Sequence, residues 1–376
     1  MKILQVLPAL QGGGVERGTL EIANALIKSG HESWVVSGGG QLVPRLQRQG
    51  STHVQWALGR KSPLSLRHVS RLRGWLAKEG FDIVHLRSRM PAWLVWLAWR
   101  GLPPRDRPRL VTTVHGLHSV SRYSAIVTCG ERVIVVSSSV RRYVTDNYPD
   151  CDPGRLRLVY RGINPAQFPP GYVPPEHWLR RWYRQYPQLL EHDVITLPGR
   201  LTRLKNHADF LHTLAALRAR GRSVKGLIVG AEDPKRRGYA REIHRIAADL
   251  GLTDHVHFTG HRNDMREIYA VSDVVLSLSS RPEAFGRTVL EPLSLSVPVV
   301  AYDHGGVGEI LQALFPEGAV PCGNIAGVID TVDSALQQAL PAPRPNTTFL
   351  LSRMCEDTLA VYRELLQDRS PAAHVQ

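Results

Sequence analysis

The sequence predicts an α/β protein built from two doubly wound domains. Thirteen short apolar, β-branched runs alternate with stretches of helical periodicity along the chain. A proline- and aromatic-rich interruption (NPAQFPPGYVPPEHWLRRWYRQYPQ, from Asn164) separates the first seven runs from the last six. At 376 residues the chain is also too long for one ordinary core, which makes two domains the natural division.

The first seven runs are KILQVL, SWVVSG, HVQWAL, DIVHL, RLVTTVHG, RVIVVS and RLRLVY. The last six are DVITLPG, VKGLIVG, HVHFTG, DVVLSLS, PVVAYD and GAVPCG. Apolar runs bounded by turn residues and separated by helices read as parallel strands joined by crossovers. Residues 1–170 form the expected first domain and 171–348 the second, with the segment from Asn164 to Asp193 expected as a linker holding one short helix. A last helix over 349–368 is expected to complete the first domain, with the final eight residues frayed. No repeat of 20–50 residues occurs.

Composition narrows the classes. Hydrophobic content of 43% and charged content of 21% are those of an ordinary globular protein. No run of eighteen apolar residues is present, and the start MKILQVLPALQGGG leads into a glycine loop instead of a secretory cleavage site. Cys129, Cys151, Cys322 and Cys355 are scattered, which suits a reducing cytoplasm and forms neither a zinc site nor a disulfide framework. The net charge of +14 lies wholly in the first half, with 24 Lys and Arg against 10 Asp and Glu up to position 175 and 23 of each thereafter. Such asymmetry points to an anionic partner.

Gly12, Gly13 and Gly14 follow the first strand and open the first helix. Glycines let a ligand approach the backbone, and a helix start favours an anion. A dinucleotide reading fails, because Arg17 stands at the third glycine position and WVVSGGG offers no acid for a ribose. A plain strand-to-helix turn remains open.

The richest stretch is RPEAFGRTVLEPLSLSVPVVAYDHGG, from Arg281 to Gly306. It follows a buried strand, where ligands of open α/β sheets bind. Glu283 stands in the loop, Phe285-Gly286-Arg287 offers backbone amides at a helix start, and Glu291 is expected about two turns into the helix. A carboxylate accepts two hydroxyls at once, which suits a ribose diol. Pro292 is expected to bend this helix or delay its start. Arg200 and Lys205 follow the DVITLPG strand, and His115 ends the LVTTVHG strand. Each also has a bland reading, as a solvated loop or a structural histidine. Gly305-Gly306 reads equally as a turn or as backbone flanking a phosphate.

The stretch resembles the motif of retaining GT-B glycosyltransferases of family four. Other pieces match in order: Gly13-Gly14-Val15-Glu16, His115-Gly116, VIVVSSSVRRYV at Val133–Val144, Arg161-Gly162-Ile163-Asn164, and Gly199-Arg200-Leu201 with Lys205. RPEAFGRTVLE and YDHGGVGEIL resemble the bacterial branch that builds lipopolysaccharide core. The resemblance implies two Rossmann-like domains facing a cleft, the first for the acceptor and the second for a nucleotide-sugar donor, UDP-linked by preference with ADP and GDP open. It implies that Glu291 binds the donor ribose and Glu283 the hydroxyls of the transferred sugar. It implies that Arg200 and Lys205 hold the diphosphate, that Gly13-Gly14 approach it, and that His115 lies by the reacting carbon. No metal or other cofactor is expected. Two departures stand out: Arg161 replaces the family's asparagine, and Ser296 replaces a helix-ending glycine.

Asp150-Cys151-Asp152 has metal-pair spacing but reads as a turn. Arg67, Arg71 and Lys78 share a helical stripe near Arg60, Lys61 and Arg73, followed by Trp93, Trp96 and Trp99. That pattern suits peripheral contact with anionic lipid, or a solvated helix beside a buried one. An anionic glycolipid acceptor at the inner membrane follows from the resemblance. No nucleic-acid module is present. Two rival functions remain: a sugar-nucleotide epimerase of the same fold, and a non-catalytic basic scaffold on membranes.

Overall fold

The computed structural model describes residues 1–60, 62–232 and 237–368; Lys61 and the last eight residues lie outside them. The elements run β1 (Lys2–Val6), α1 (Gly14–Lys28), β2 (Glu32–Ser37), α2 (Val43–Arg48), β3 (Thr52–Gln55), α3 (Arg67–Glu79), β4 (Ile83–Leu86), α4 (Arg89–Arg100), β5 (Arg109–Val114), β6 (Arg132–Val135), α5 (Ser138–Asn147) and β7 (Leu156–Leu158). They continue as α6 (Glu176–Gln185), β8 (Asp193–Pro198), α7 (His207–Ala219), β9 (Val224–Val229), α8 (Arg237–Asp249), β10 (Val256–Phe258), α9 (Met265–Ala270), β11 (Val274–Ser277), α10 (Arg287–Ser294), β12 (Val299–Tyr302), α11 (Gly305–Leu314), β13 (Ala319–Val320), α12 (Ile325–Leu336) and α13 (Leu351–Gln367). Each of the thirteen apolar runs holds one strand.

The chain forms two compact units, Met1–Gly162 with α13, and Ile163–Leu350. In the first, seven strands pair in parallel in the order β3-β2-β1-β4-β5-β6-β7. In the second, six pair in parallel as β10-β9-β8-β11-β12-β13. Strand order reverses between β1 and β4 in one sheet and between β8 and β11 in the other. Those reversals open crevices at the carboxyl ends of the strands.

Burial explains the strands. Ile3, Ile83, Val111 and Ile134 lie in one core layer of the first sheet, covered by Ile22 and Leu26 of α1 and by Met354, Val361, Tyr362 and Leu365 of α13. In the second unit Ile195, Ile228, Val274 and Leu276 pack with Phe210 and Leu214 of α7, Ile243 of α8, and Val328 and Val332 of α12.

The expected linker is not one. Trp178 and Trp182 of α6 are buried against Leu189, Val194, Leu227, Val229 and Ile268, so this segment is part of the second unit. The Trp178 indole also donates to Asp264 Oδ2 at 2.8 Å. The unit begins at Ile163, earlier than position 171, because Ile163 is buried and its N–H bonds Phe349 O at 3.1 Å.

Candidate functional site

In the second unit the site is built around the β8–β11 reversal. β8 ends at Pro198, and Gly199 (φ 143°) turns the chain under the Lys205 side chain; a Cβ there would stand 2.9 Å from Lys205 Cε. The short turn over Arg203–Lys205 is tied to the end of β11 by Ser280 N–H donating to Leu204 O at 2.8 Å. That places Lys205 Nζ 2.7 Å from Glu283 Oε1. The Ser279 hydroxyl donates to the same oxygen. Burial pushes the Glu283 carboxyl up, but the Lys205 ammonium, helped by Ser279 and His304, outweighs it and holds the group below the ordinary carboxylate range. Glu283 is therefore ionised and clamped through one oxygen.

The Glu283 loop rests on the start of α11. Gly306 N–H donates to Glu283 O at 2.8 Å. Cβ atoms on Gly305 and Gly306 would stand 2.5 Å from Glu283 O and from Phe285 Cα. These glycines are required by close backbone approach. His304 caps the arrangement, with Nε2 at 2.8 Å from Ser279 O.

Gly286 (φ 116°) opens α10, which runs through Pro292 to Ser294. Helical Leu290 N–H reaches back to Gly286 O at 3.1 Å, so the helix starts where the sequence placed it. Phe285 is buried, with its ring 5.6 Å from that of Phe349. Glu291 is the fifth residue of α10, little more than one turn in and not two. It is buried, with Arg287 Nε at 3.3 Å. Arg200 is exposed beyond the tip of β8. His207, buried at the start of α7, is pushed down to about 4 by burial and by Lys205, so it adds no charge beside the lysine.

In the first unit, Glu16 caps α1 by accepting from the Gly12 and Gly13 N–H groups, the latter at 2.7 Å. Gly14 faces open space. His115 follows β5, half-buried, with Nδ1 2.5 Å from Arg161 Nη2. Arg87, next to the end of β4, is buried and donates to Gln5 Oε1 at 2.9 Å. Burial lowers its pKa to about 10. Burial, then Arg161 and Arg87, push His115 well below the usual histidine range. Gly18 of α1 makes room for both arginines, since a Cβ there would meet Arg161 Nη1 and Arg87 Nη2.

The tryptophans of α4, Trp93, Trp96 and Trp99, are half-buried. The indoles of Trp93 and Trp99 donate to Tyr123 O at 2.9 Å and Pro108 O at 2.7 Å. Leu64 and Leu66 are 71% and 57% exposed, just before exposed Arg67 and Arg71. No described helix is long and apolar enough to cross a membrane. Asp152 of the Asp-Cys-Asp triplet accepts from Gly154 N–H at 2.8 Å, as a turn residue does.

Two family models tile this chain. Residues 12–167 match Glycosyltransferase Family 4, and residues 182–345 match Glycosyl transferases group 1. The chain belongs to the family-four glycosyltransferases. A D-inositol 3-phosphate glycosyltransferase of Salinispora tropica is 28% identical over 314 residues, covering 78% of this chain and 62% of that relative. A solved glycosyltransferase from Rickettsia africae is 28% identical with a TM-score of 0.83, over 98% of this chain and 99% of the other. Anabaena HepE in complex with UDP-glucose is 18% identical with a TM-score of 0.77, over 98% and 99%, and is similar in fold.

In this family-four chain the motif residues Glu283, Phe285, Gly286 and Glu291 gather with Lys205 in one unit, while His115, Gly13 and Gly14 belong to the other. Sequence reading did not single out Ser279, His304 or Arg87. Ser279 and His304 flank the motif, yet only folding brings Ser279 O to the imidazole. Arg87 follows a strand end directly, a position that marks it in hindsight.

Proposed function

We propose that the chain is a retaining, metal-independent hexosyltransferase that moves a hexose-type sugar from a nucleotide sugar, UDP-linked by preference, to a hydroxyl of a glycan acceptor. The observation that carries this is the Lys205–Glu283 pair at the strand reversal of the second unit. Both described bonds to the Glu283 carboxylate fall on Oε1, leaving Oε2 for sugar hydroxyls. Lys205 spends one of its three N–H groups on Glu283 and keeps two for phosphate oxygens. With Arg200 and the amides at the Gly286 helix start, it stabilises charge gathering on the leaving diphosphate. Glu291 receives the ribose. The bond from anomeric carbon to diphosphate breaks as the acceptor oxygen bonds on the same face, and the acceptor proton passes to a diphosphate oxygen. The UDP preference is supported by the UDP-glucose complex of the Anabaena protein.

The acceptor we favour is lipopolysaccharide core presented at the inner leaflet, on the strength of the RPEAFGRTVLE and YDHGGVGEIL resemblance. Leu64 and Leu66 beside Arg67 and Arg71 support peripheral contact with anionic lipid from the cytoplasmic side. Cosedimentation with phosphatidylglycerol vesicles tests it; the Leu64→Ser, Leu66→Ser double variant should release the protein.

Calorimetry with UDP, ADP, GDP and NAD, on wild type and Glu291→Ala, tests the donor site. One nucleoside diphosphate should bind, at least about tenfold more weakly to the variant. Binding of NAD, or equal binding by both proteins, would defeat the assignment.

A further inference from the structure

We propose that Ser279 is a positioning residue whose hydroxyl keeps the Glu283 carboxylate set for the donor sugar when the Lys205 ammonium turns to the diphosphate. The inference rests on the transferase reading for its ligand, and on the geometry of the second unit alone for the rest.

Lys205 has two anions to serve. Its ammonium lies 2.7 Å from Glu283 Oε1, and the leaving diphosphate draws on the same charge. A lysine reaches either one through a long, flexible stem. The second partner of Oε1 is of another kind. The Ser279 hydroxyl donates to that oxygen, from a short side chain on a residue only 2% exposed. Ser279 lies two residues beyond the end of β11. Its neighbour Ser280 is tied to the Lys205 turn, its N–H donating to Leu204 O at 2.8 Å. A neutral hydroxyl is not drawn off by an arriving diphosphate as an ammonium is.

The bonds around Ser279 close into a ring that leaves Lys205 out. The Ser279 hydroxyl holds the Glu283 side chain. The Glu283 backbone bridges Gly305, and Glu283 O accepts from Gly306 N–H at 2.8 Å. Both glycines follow His304, whose Nε2 lies 2.8 Å from Ser279 O. A carbonyl oxygen only accepts, so that nitrogen carries the proton. The ring thus runs from the end of β11 to the Glu283 loop, on to the start of α11, and back to Ser279.

Each member fixes the next. The glycines hold the backbone of Glu283, and the serine holds its carboxylate. Oε2 is therefore presented in one way whether or not the lysine is in contact. An acceptor set in advance costs the reacting sugar no reorganisation.

The test separates the sugar from the nucleotide. Calorimetry measures UDP, UDP-glucose, UDP-galactose and UDP-N-acetylglucosamine on the full-length protein. For the UDP-sugar that wild type binds, Ser279→Ala should lower affinity about tenfold, as when a hydrogen bond to a charged group is lost, and should leave UDP within about twofold of wild type. Ser279→Thr keeps the hydroxyl and should restore sugar binding. On a Glu283→Gln background, Ser279→Ala should add nothing. His304→Leu opens the ring from its other side and should act as Ser279→Ala does. His304→Gln keeps a donor for Ser279 O and should bind as wild type. Unchanged UDP-sugar affinity in Ser279→Ala and His304→Leu overturns the proposal. An equal loss of UDP and UDP-sugar also overturns it, because a purely structural role would give that result. Full additivity with Glu283→Gln does the same. If Ser279→Ala does not fold, the two His304 variants still decide. If wild type binds no UDP-sugar, the UDP-linked transferase reading fails, and this use of Ser279 falls with it.

Discussion

Lys205 Nζ and Glu283 Oε1 stand 2.7 Å apart, although 78 residues separate them in sequence. The pairing follows from topology. β8 and β11 are neighbours, so the turn after one meets the loop after the other. Both side chains are largely shielded, 17% and 20% exposed, so the pair is stronger than a surface bridge. It also fixes Glu283 as a carboxylate, which can only accept hydrogen bonds.

Glu283→Gln removes that charge and leaves Lys205 without its counter-ion. Transfer should fall about 100-fold in kcat/KM, as when one preorganised polar group is lost at a reacting centre. UDP binding should change by less than about threefold, because Glu283 is assigned to the sugar and not to the nucleotide. Calorimetry with UDP alongside steady-state rates separates the two effects. A variant with equal loss in UDP affinity and turnover would place Glu283 on the nucleotide instead.

Gly306→Ala puts a Cβ 2.5 Å from Phe285 Cα and 2.7 Å from Ala284 O, both backbone neighbours that cannot rotate away. The loop must move, and with it the Glu283 carboxylate. We expect a loss of about 1–3 kcal/mol in the second unit from overpacking, and a fall in transfer beyond what unfolding explains. Urea unfolding and rates measured well below the midpoint check this. Gly238→Ala, in α8 of the same unit, is the control, because nothing lies near that Cβ.

Much of this was legible in sequence because parallel strands write themselves as short apolar runs. All thirteen appear, and the Glu283–Glu291 motif sits where strand-tip chemistry puts it. The α6 segment was misread because its core signal is two tryptophans, Trp178 and Trp182, one helical turn apart among charged residues. Their rings stack at 5.0 Å and bury one narrow stripe, too sparse a pattern to announce a packed helix. The α4 tryptophans show a second kind of gap. Their spacing looks amphipathic, but a sequence does not show that backbone carbonyls of Tyr123 and Pro108 take their indole protons. Arg161 was visible as a departure from the family motif, yet the imidazole beside it was not.

Ser296 offers a stability gain. α10 ends in a Schellman motif: Val297 N–H bonds Pro292 O and Ser296 N–H bonds Leu293 O, each at 3.0 Å. The motif needs a left-handed residue, and Ser296 supplies it at φ 68°. A non-glycine residue there pays about 1 kcal/mol. Ser296→Gly should therefore stabilise the second unit by up to about 1 kcal/mol, offset in part by glycine's greater freedom when unfolded. Thermal unfolding should show the transition of this unit rise by about 2–4 °C. An unchanged or lower midpoint would mean that the serine is not strained.

Glu364 ties α13 to the first sheet and makes its attachment pH-dependent. Arg157 Nε and Arg132 Nε each lie 2.9 Å from its carboxylate oxygens. Hydrogen bonding from Arg157, then from Arg132, outweighs the desolvation between them and pulls its pKa from 4.5 to about 2. A folded value below the unfolded one means the carboxylate stabilises the fold fully above about 4.5, and that this share drains away as pH falls toward 2. The side chain is 36% exposed, so solvent screening reduces the effect to about 1 kcal/mol. Glu364→Gln should be less stable than wild type by about that amount at pH 7, and the gap should close below pH 4.5. Urea unfolding of both proteins across this range, at low salt, is the measurement. A gap independent of pH would show that packing, and not the ion pairs, accounts for the loss.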